Sequence, residues 1–166
     1  MTRDVLGQRI WENRNSLMRF ALSIVHNGAD AEDAVSEAVV RSMTDIGKLR
    51  SEDKLKQWLL RITANCCYDL MRRKRREEAT DDMGRFDAPV CETPAEGTVY
   101  GHITRLKPVF RQVLILYYYE GFLAKEIAQV LGISVSTVLM RLSRGRQKLK
   151  DMYEAEGVKY NDKQRI

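Results

Sequence analysis

Arg141, Arg144, Arg146 and Lys148 fall close together near the end of the chain, just after the hydroxyls Ser136 and Thr137 and the apolar Met140. An arginine presents a planar fork of donors that fits a guanine edge or a phosphate, and a lysine offers a point charge suited to a phosphate. The residues that must position these groups come immediately before them. Ala124 to Leu131 has the spacing of a short helix, Gly132 can take the positive φ of a turn, and Ser134 is placed to cap a second helix. Ala128 is small enough to let the two helices approach, and Val138 and Leu142 lock the second onto the first. This is a helix-turn-helix pattern, whose second helix fits the DNA major groove. The partner it implies is a polymer.

The distribution of charge agrees with that partner. The net charge is +5. Residues 1–76 carry fifteen Lys/Arg against ten Asp/Glu, 77–102 one against seven, and 103–150 nine against two. Two basic blocks flanking an acidic strip describe two nucleic-acid-facing modules and a solvated connector. The apolar fraction of 44% is that of a globular protein. The longest apolar or aromatic run, Val113–Tyr119, is far short of the roughly 18 residues of a membrane span, and the amino terminus lacks a signal-peptide core. Cys66, Cys67 and Cys91 are an odd set without CxxC spacing, read as buried or tolerated thiols of a reduced, cytoplasmic protein. His26 and His102 stand without a ligand cluster, and neither a phosphate loop nor a GxSxG is present. No metal, cofactor, catalytic residue or small-molecule substrate is implied, so an enzyme is not expected.

Periodicity predicts an all-α chain. A first helix covers 5–26 and ends at Asn27-Gly28; a second covers 29–46, with Ala31, Ala34, Val35, Ala38, Val39 and Met43 as its buried stripe. After a polar loop at 48–53, a third runs from about 53 to 76 with Leu55, Trp58, Leu59, Ile62, Cys66 and Leu70 inward, Trp58 being read as core. Arg61, Asn65, Tyr68 and Arg72 line a different face of it, and it finishes in Arg72-Arg73-Lys74-Arg75-Arg76. These three helices make domain 1–76. Residues 77–93 read as a flexible acidic linker. Domain 94–166 holds four helices: one of about ten residues opened by Thr93-Pro94-Ala95-Glu96, one opened by Pro108 and ended by Gly121, and the helix-turn-helix pair.

Two blocks resemble a known family. Asp30-Ala-Glu-Asp-Ala-Val-Ser-Glu-Ala-Val-Val-Arg41 with Gln57-Trp-Leu-Leu-Arg-Ile-Thr-Ala-Asn-Cys-Cys-Tyr-Asp-Leu-Met-Arg-Arg-Lys74 resembles the second conserved region of bacterial sigma factors. Leu106–Gly121 plus the helix-turn-helix is similar to their fourth region. Both regions with little between them is the layout of the extracytoplasmic-function (ECF) subfamily.

The resemblance implies a subunit that binds core RNA polymerase, recognises two promoter elements and helps melt the downstream one. It implies that Asp30, Asp33, Ser36, Glu37, Val40 and Arg41 meet the clamp helices of the largest polymerase subunit. Ser36, Val39 and Met43 depart from the glutamine, phenylalanine and tryptophan favoured there. Arg61, Asn65, Tyr68, Arg72 and Arg73 would hold the minus-ten element, Asn65 near a flipped-out base, with the loop Leu49–Lys54 completing the pocket. Ser136, Thr137, Met140, Arg141 and Arg144 would contact the minus-thirty-five element, with Arg146 and Lys148 on phosphates. Leu139-Met140 stands where the family usually has a cation and a serine. Contact with a thymine methyl and a weaker dependence on that element are both open. An anti-sigma factor is a further implied partner. The residues alone also fit a one-component helix-turn-helix regulator with a helical amino-terminal interaction domain, or an adaptor that no longer binds promoters.

Overall fold

The computed structural model describes residues 1–80 and 97–157, and every regular element among them is helical. The chain divides into two compact units, Met1–Cys91 and Glu92–Ile166. Of the expected linker 77–93, residues 81–93 lie outside the described residues, as do the helix start at Thr93–Glu96, Cys91 and the tail from 158.

In the first unit, α1 (Arg3–Val25), α2 (Gly28–Thr44) and α3 (Leu55–Thr80) pack on one another. Thr2 starts α1 by accepting the Val5 amide at 3.3 Å. The sequence ends this helix at Asn27-Gly28, but the left-handed residue is His26, at φ 52°. Asn27 faces the other way: its side chain accepts the Asp30 amide at 3.0 Å and caps α2, whose first residue is Gly28. Asparagine is among the best residues for that role.

The buried face of α2 is Ala31, Ala34, Ala38 and Ser42. Val35, Val39 and Met43, expected in the same stripe, are half-buried at its edge. A face of such small side chains lets helix axes approach at the short end of the usual packing distance. Beyond α2, the segment expected as loop contains two short 3-10 turns, Ile46–Lys48 and Glu52–Lys54, the second leading directly into α3.

The inner face of α3 is broader than its sequence suggests, with Leu55, Leu59, Leu60, Thr63, Ala64, Cys66, Cys67 and Leu70 all buried. Thr63 is satisfied there by donating to the Leu59 carbonyl at 2.9 Å. Trp58 and Ile62 are half-buried at the margin, so Trp58 is not the core residue expected. The helix also continues past Arg76 to Thr80, taking in Glu77 and Glu78, because glutamate is a good helix former. Burial pushes the Cys66 thiol up to about 11 and the Cys67 thiol to about 12.

In the second unit, α4 (Val99–Thr104) is capped by Thr98, which accepts the Gly101 amide at 3.0 Å. Pro108 opens α5 (Pro108–Tyr118), and α6 (Ala124–Leu131) and α7 (Val135–Ala155) follow. Ile103, Val113, Leu114, Leu116, Ile127, Val138, Leu142 and Leu149 form the core. Gly145 marks a close approach of α7 to α5, since a Cβ there would stand 3.0 Å from Leu114 Cδ1.

Contacts of three side chains, Arg111, His102 and Arg105, close the end of this unit around α4. Arg111, buried and with its charge disfavoured by that burial, donates to the Leu106 carbonyl at 2.9 Å. The buried His102 ring stacks on Tyr153, with centroids 4.4 Å apart. Its Nδ1 lies 2.7 Å from the Thr98 carbonyl and its Nε2 2.7 Å from Glu156, so a ring protonated on both nitrogens donates to both. Arg105 reaches the same carboxylate at 3.0 Å, tying α4 to the end of α7.

Two outcomes follow from this packing. Ala34→Leu should lower the stability of the first unit by about 1–3 kcal/mol through overpacking, read as a lower urea midpoint, whereas an exposed Ser36→Ala control should shift it little. In a Cys91→Ser background, Cys66 and Cys67 should resist a thiol reagent at neutral pH until denaturant opens the unit. Rapid labelling of the native protein would contradict their burial.

Candidate nucleic-acid interface

On α3, Arg61, Asn65, Tyr68 and Arg72 succeed one another at helical spacing, directly opposite the buried face. Arg61, Asn65 and Arg72 are exposed and Tyr68 is half-buried. The row spans about 16 Å at the usual helical rise, the length of a few nucleotides. It offers two guanidinium groups, an amide able to donate and accept, and an aromatic face. The buried side of the same helix holds this row rigid.

Arg73 does not join the row. It turns toward α2, where its Nη2 is 3.5 Å from Glu37. Lys74 follows it, with Nζ 2.6 Å from both Asp30 oxygens. Arg41 pairs with Glu37 on its own helix and with Asp69 across the interface at 3.0 Å, and Arg72 pairs with Asp69. The basic end of α3 and the acidic side of α2 therefore form one ladder of ion pairs. Burial acts to raise the Asp69 carboxyl, but hydrogen bonds from Arg41 and Arg72 outweigh it and hold it below the usual carboxylate range. The Arg41 guanidinium is raised in turn by Asp69 and then by Glu37.

This ladder splits the residues expected to meet the polymerase. Asp33, Ser36 and Val40 point away from the bundle and are exposed, Val40 at 66%. Asp30, Glu37 and Arg41 lie on the flank that faces α3 and are engaged there. Asp69, which organises two of the arginines, has no place among the sequence candidates. Its spacing from Arg72 is visible in the sequence, but its partner on α2 is visible only in the fold.

In the second unit the turn between α6 and α7 takes the form its sequence predicts. Gly132 has φ 67°, the Ile133 amide reaches the Ala128 carbonyl at 3.1 Å, and Ser134 accepts the Thr137 amide at 3.2 Å. The two helices are bent 107° from one another, within the range of DNA-binding pairs. Val138, Leu142 and Leu149 face inward. Ser136, Met140, Arg144 and Lys148 are exposed, and Thr137 and Arg141 half-buried.

Two of these side-chain types are partly engaged within the chain. The hydroxyls of Ser136 and Thr137 gather around Ser134 Oγ at 3.1 and 2.8 Å. Arg146 donates to the Tyr118 hydroxyl at 2.8 Å and lies over the rings of Tyr117 and Tyr118, so its guanidinium braces α7 against α5. Lys148 Nζ stands 5.4 Å over the Phe110 ring. Among the described residues no group of three His, Cys, Asp or Glu is placed to hold a metal, and no single helix is long and apolar enough to cross a membrane.

Comparison with known proteins places both halves. The sigma-70 region 2 model matches residues 10–77 and the sigma-70 region 4 model residues 96–149. Similar sequences include the ECF RNA polymerase sigma factor SigM of Bacillus subtilis, 27% identical over 84% of this chain and 89% of that protein. The ECF RNA polymerase sigma factor SigE of Mycolicibacterium smegmatis is 31% identical over 84% of this chain and 58% of that protein. A probable RNA polymerase sigma factor of Xanthomonas campestris, RfaY, is 29% identical, but this chain spans only 39% of its length. Among solved structures, the sigma factor RpoE in complex with the anti-sigma factor NepR from Bartonella quintana shares the fold, with a TM-score of 0.78, 23% identity, and coverage of 93% of this chain and 99% of that one. CnrH in complex with the cytosolic domain of CnrY gives a TM-score of 0.64 at 25% identity, covering 93% and 91%. With both conserved regions present and in order, the chain belongs to the ECF group of the sigma-70 family of RNA polymerase sigma factors.

Proposed function

We propose that the two units act on successive parts of one promoter, as the specificity subunit of an RNA polymerase holoenzyme. The exposed row on α3 carries this reading most directly. In the proposal, Asn65 reads the edge of an unstacked base of the minus-ten element, Tyr68 supports it, and Arg61 and Arg72 follow the backbone. Asp33, Ser36 and Val40 form the standing part of the polymerase-docking face, against the clamp helices of the largest subunit. Asp30, Glu37 and Arg41 join it by exchanging intramolecular partners. In α7, Arg144 and Arg141 address base edges of the minus-thirty-five element, with Ser136, Thr137 and Met140 beside them and Lys148 on phosphate. Arg146 contributes by holding the helix in place.

The subunit itself carries out no bond chemistry in this reading, and its place is in the cytoplasm with the polymerase. An anti-sigma factor is a fitting partner, since structural relatives are described in complex with NepR and with the cytosolic domain of CnrY. A one-component regulator is disfavoured by the family match over region 2, which such a regulator has no need of.

Run-off transcription with purified core polymerase tests the whole reading. Duplex and premelted-bubble templates should both be used above the core-only background; use of neither defeats it. Asn65→Ala should reduce duplex transcription about tenfold, the worth of one good base-edge contact, while bubble transcription and core affinity change little. Arg144→Ala should instead abolish the preference for a matched upstream element.

The ladder gives a pH-dependent outcome. Asp69 is held below its ordinary range when folded, so its pairs stabilise the protein above that range and are lost as acid titrates the folded carboxyl. Asp69→Asn should therefore flatten the fall in stability between about pH 5 and about pH 3, measured by urea midpoints. An unchanged acid limb would show that the ladder contributes nothing to folding.

A further inference from the structure

The opening turns of α7 carry an apolar surface that the assignment above leaves unexplained. Val135, Leu139 and Met140 are 41%, 54% and 42% exposed, grouped around the small Ser136. An isolated exposed leucine is ordinary. Here three apolar side chains occupy the part of the helix that a 107° helix-turn-helix would lead into a groove. The charged groups lie elsewhere. Arg144 is one turn beyond Met140, Arg141 and Lys148 lie on the far flank, and Arg146 is held by Tyr118.

The base edges of the major groove offer hydrogen-bond donors and acceptors almost throughout. Their distinctive apolar feature is the thymine 5-methyl group. A reading surface without charge or amide, with Arg144, Arg141 and Lys148 along one flank, is complementary to thymine methyls in a groove bordered by phosphates. A protein partner is a poorer fit, because only three apolar side chains are exposed there and cations stand along one flank.

We propose that Leu139 and Met140, with Val135 at their edge, select thymine 5-methyl groups in the upstream promoter element. Sequence preference at those positions then comes from apolar contact, and Arg144 supplies the hydrogen-bonded base contact one turn later. The proposal rests on the reading of α7 as a DNA-binding helix, and the following experiment separates the two.

Holoenzyme reconstituted from core polymerase and this chain is used to select duplexes from a library randomised across the upstream element. Each thymine of the selected element is then replaced by deoxyuridine, which removes the methyl and keeps every hydrogen-bonding group. Affinity should fall roughly three- to fivefold at one or more positions, the worth of burying a methyl-sized group. In a Leu139→Ser/Met140→Ser chain, whose thermal unfolding should match the parent because both sites are exposed, the difference between thymine and deoxyuridine should vanish. Indifference to deoxyuridine in the parent, with Arg144→Ala still erasing upstream preference, overturns the methyl contact and leaves the DNA-binding reading standing. Failure to select any upstream sequence, with Arg144→Ala silent, overturns both. Loss of core-polymerase affinity in the double-serine chain, with its thymine response unchanged, assigns the surface to a protein partner and overturns the proposal.

Discussion

The close approach of α2 to its neighbours is the constraint on which the first unit depends. Its buried face is made of Ala31, Ala34, Ala38 and Ser42, with no side chain long enough to hold α1 and α3 at a distance. Two consequences follow from one small-residue stripe. The apolar face is fully used by neighbours, which leaves Asp33, Ser36 and Val40 pointing outward. The flank is brought so near the end of α3 that Asp30, Glu37 and Arg41 meet Lys74, Arg73 and Asp69. A wider separation would leave these charges in water, where long side chains lose entropy on pairing and gain little.

The ladder links the acidic flank of α2 and the basic end of α3 through shared charges. Each of its pairs is at least partly exposed, and such pairs are individually worth about 0–1 kcal/mol. That weakness makes the arrangement exchangeable. Arg72, paired with Asp69 on its own helix, and Arg73, paired with Glu37 on α2, are held by forces that a phosphate can match, because a phosphate also accepts two parallel hydrogen bonds from a guanidinium. The half-buried carboxylates they leave behind, Asp69 and Glu37, keep Arg41 as a partner. A deeply buried ladder would cost several kcal/mol to open and would lock the basic end of α3 out of use.

How much of this was legible in the sequence depended on whether the cause was local. The helix-turn-helix was readable to the residue, because Gly132, Ser134 and Ala128 each answer a requirement set within a few positions: a left-handed turn, a cap and a close crossing. The α3 row was readable because a period of three to four residues is a property of one helix. Where two local signals competed, the reading went astray. Asn27-Gly28 looks like a helix stop, yet Asn27 acts as a start and His26 bears the left-handed conformation. Features set by a second element were out of reach: Asp69 needs Arg41 from α2, Arg146 needs Tyr118 from α5, and Gly145 is explained only by Leu114. Trp58 failed for a related reason. Its spacing fits the inner face, but the packing centre falls nearer Leu59, Thr63 and Cys66 and leaves the indole at the rim.

In the proposed reading, the two units meet promoter DNA with opposite chemistries on helical scaffolds. On α3 the groups opposite the core are an amide, a phenol and arginines, which suit a strand whose hydrogen-bonding edges have been exposed by unstacking. On α7 the leading surface is apolar, and its neighbouring hydroxyls are already drawn toward the Ser134 cap. An apolar surface gains nothing from an unpaired base edge, but it can sense a methyl group projecting from an intact pair. The division of residue types thus matches the physical state of the DNA each helix would meet. In that reading one face suits opened strands and the other closed duplex, and exchanging the two would leave each with the wrong chemistry.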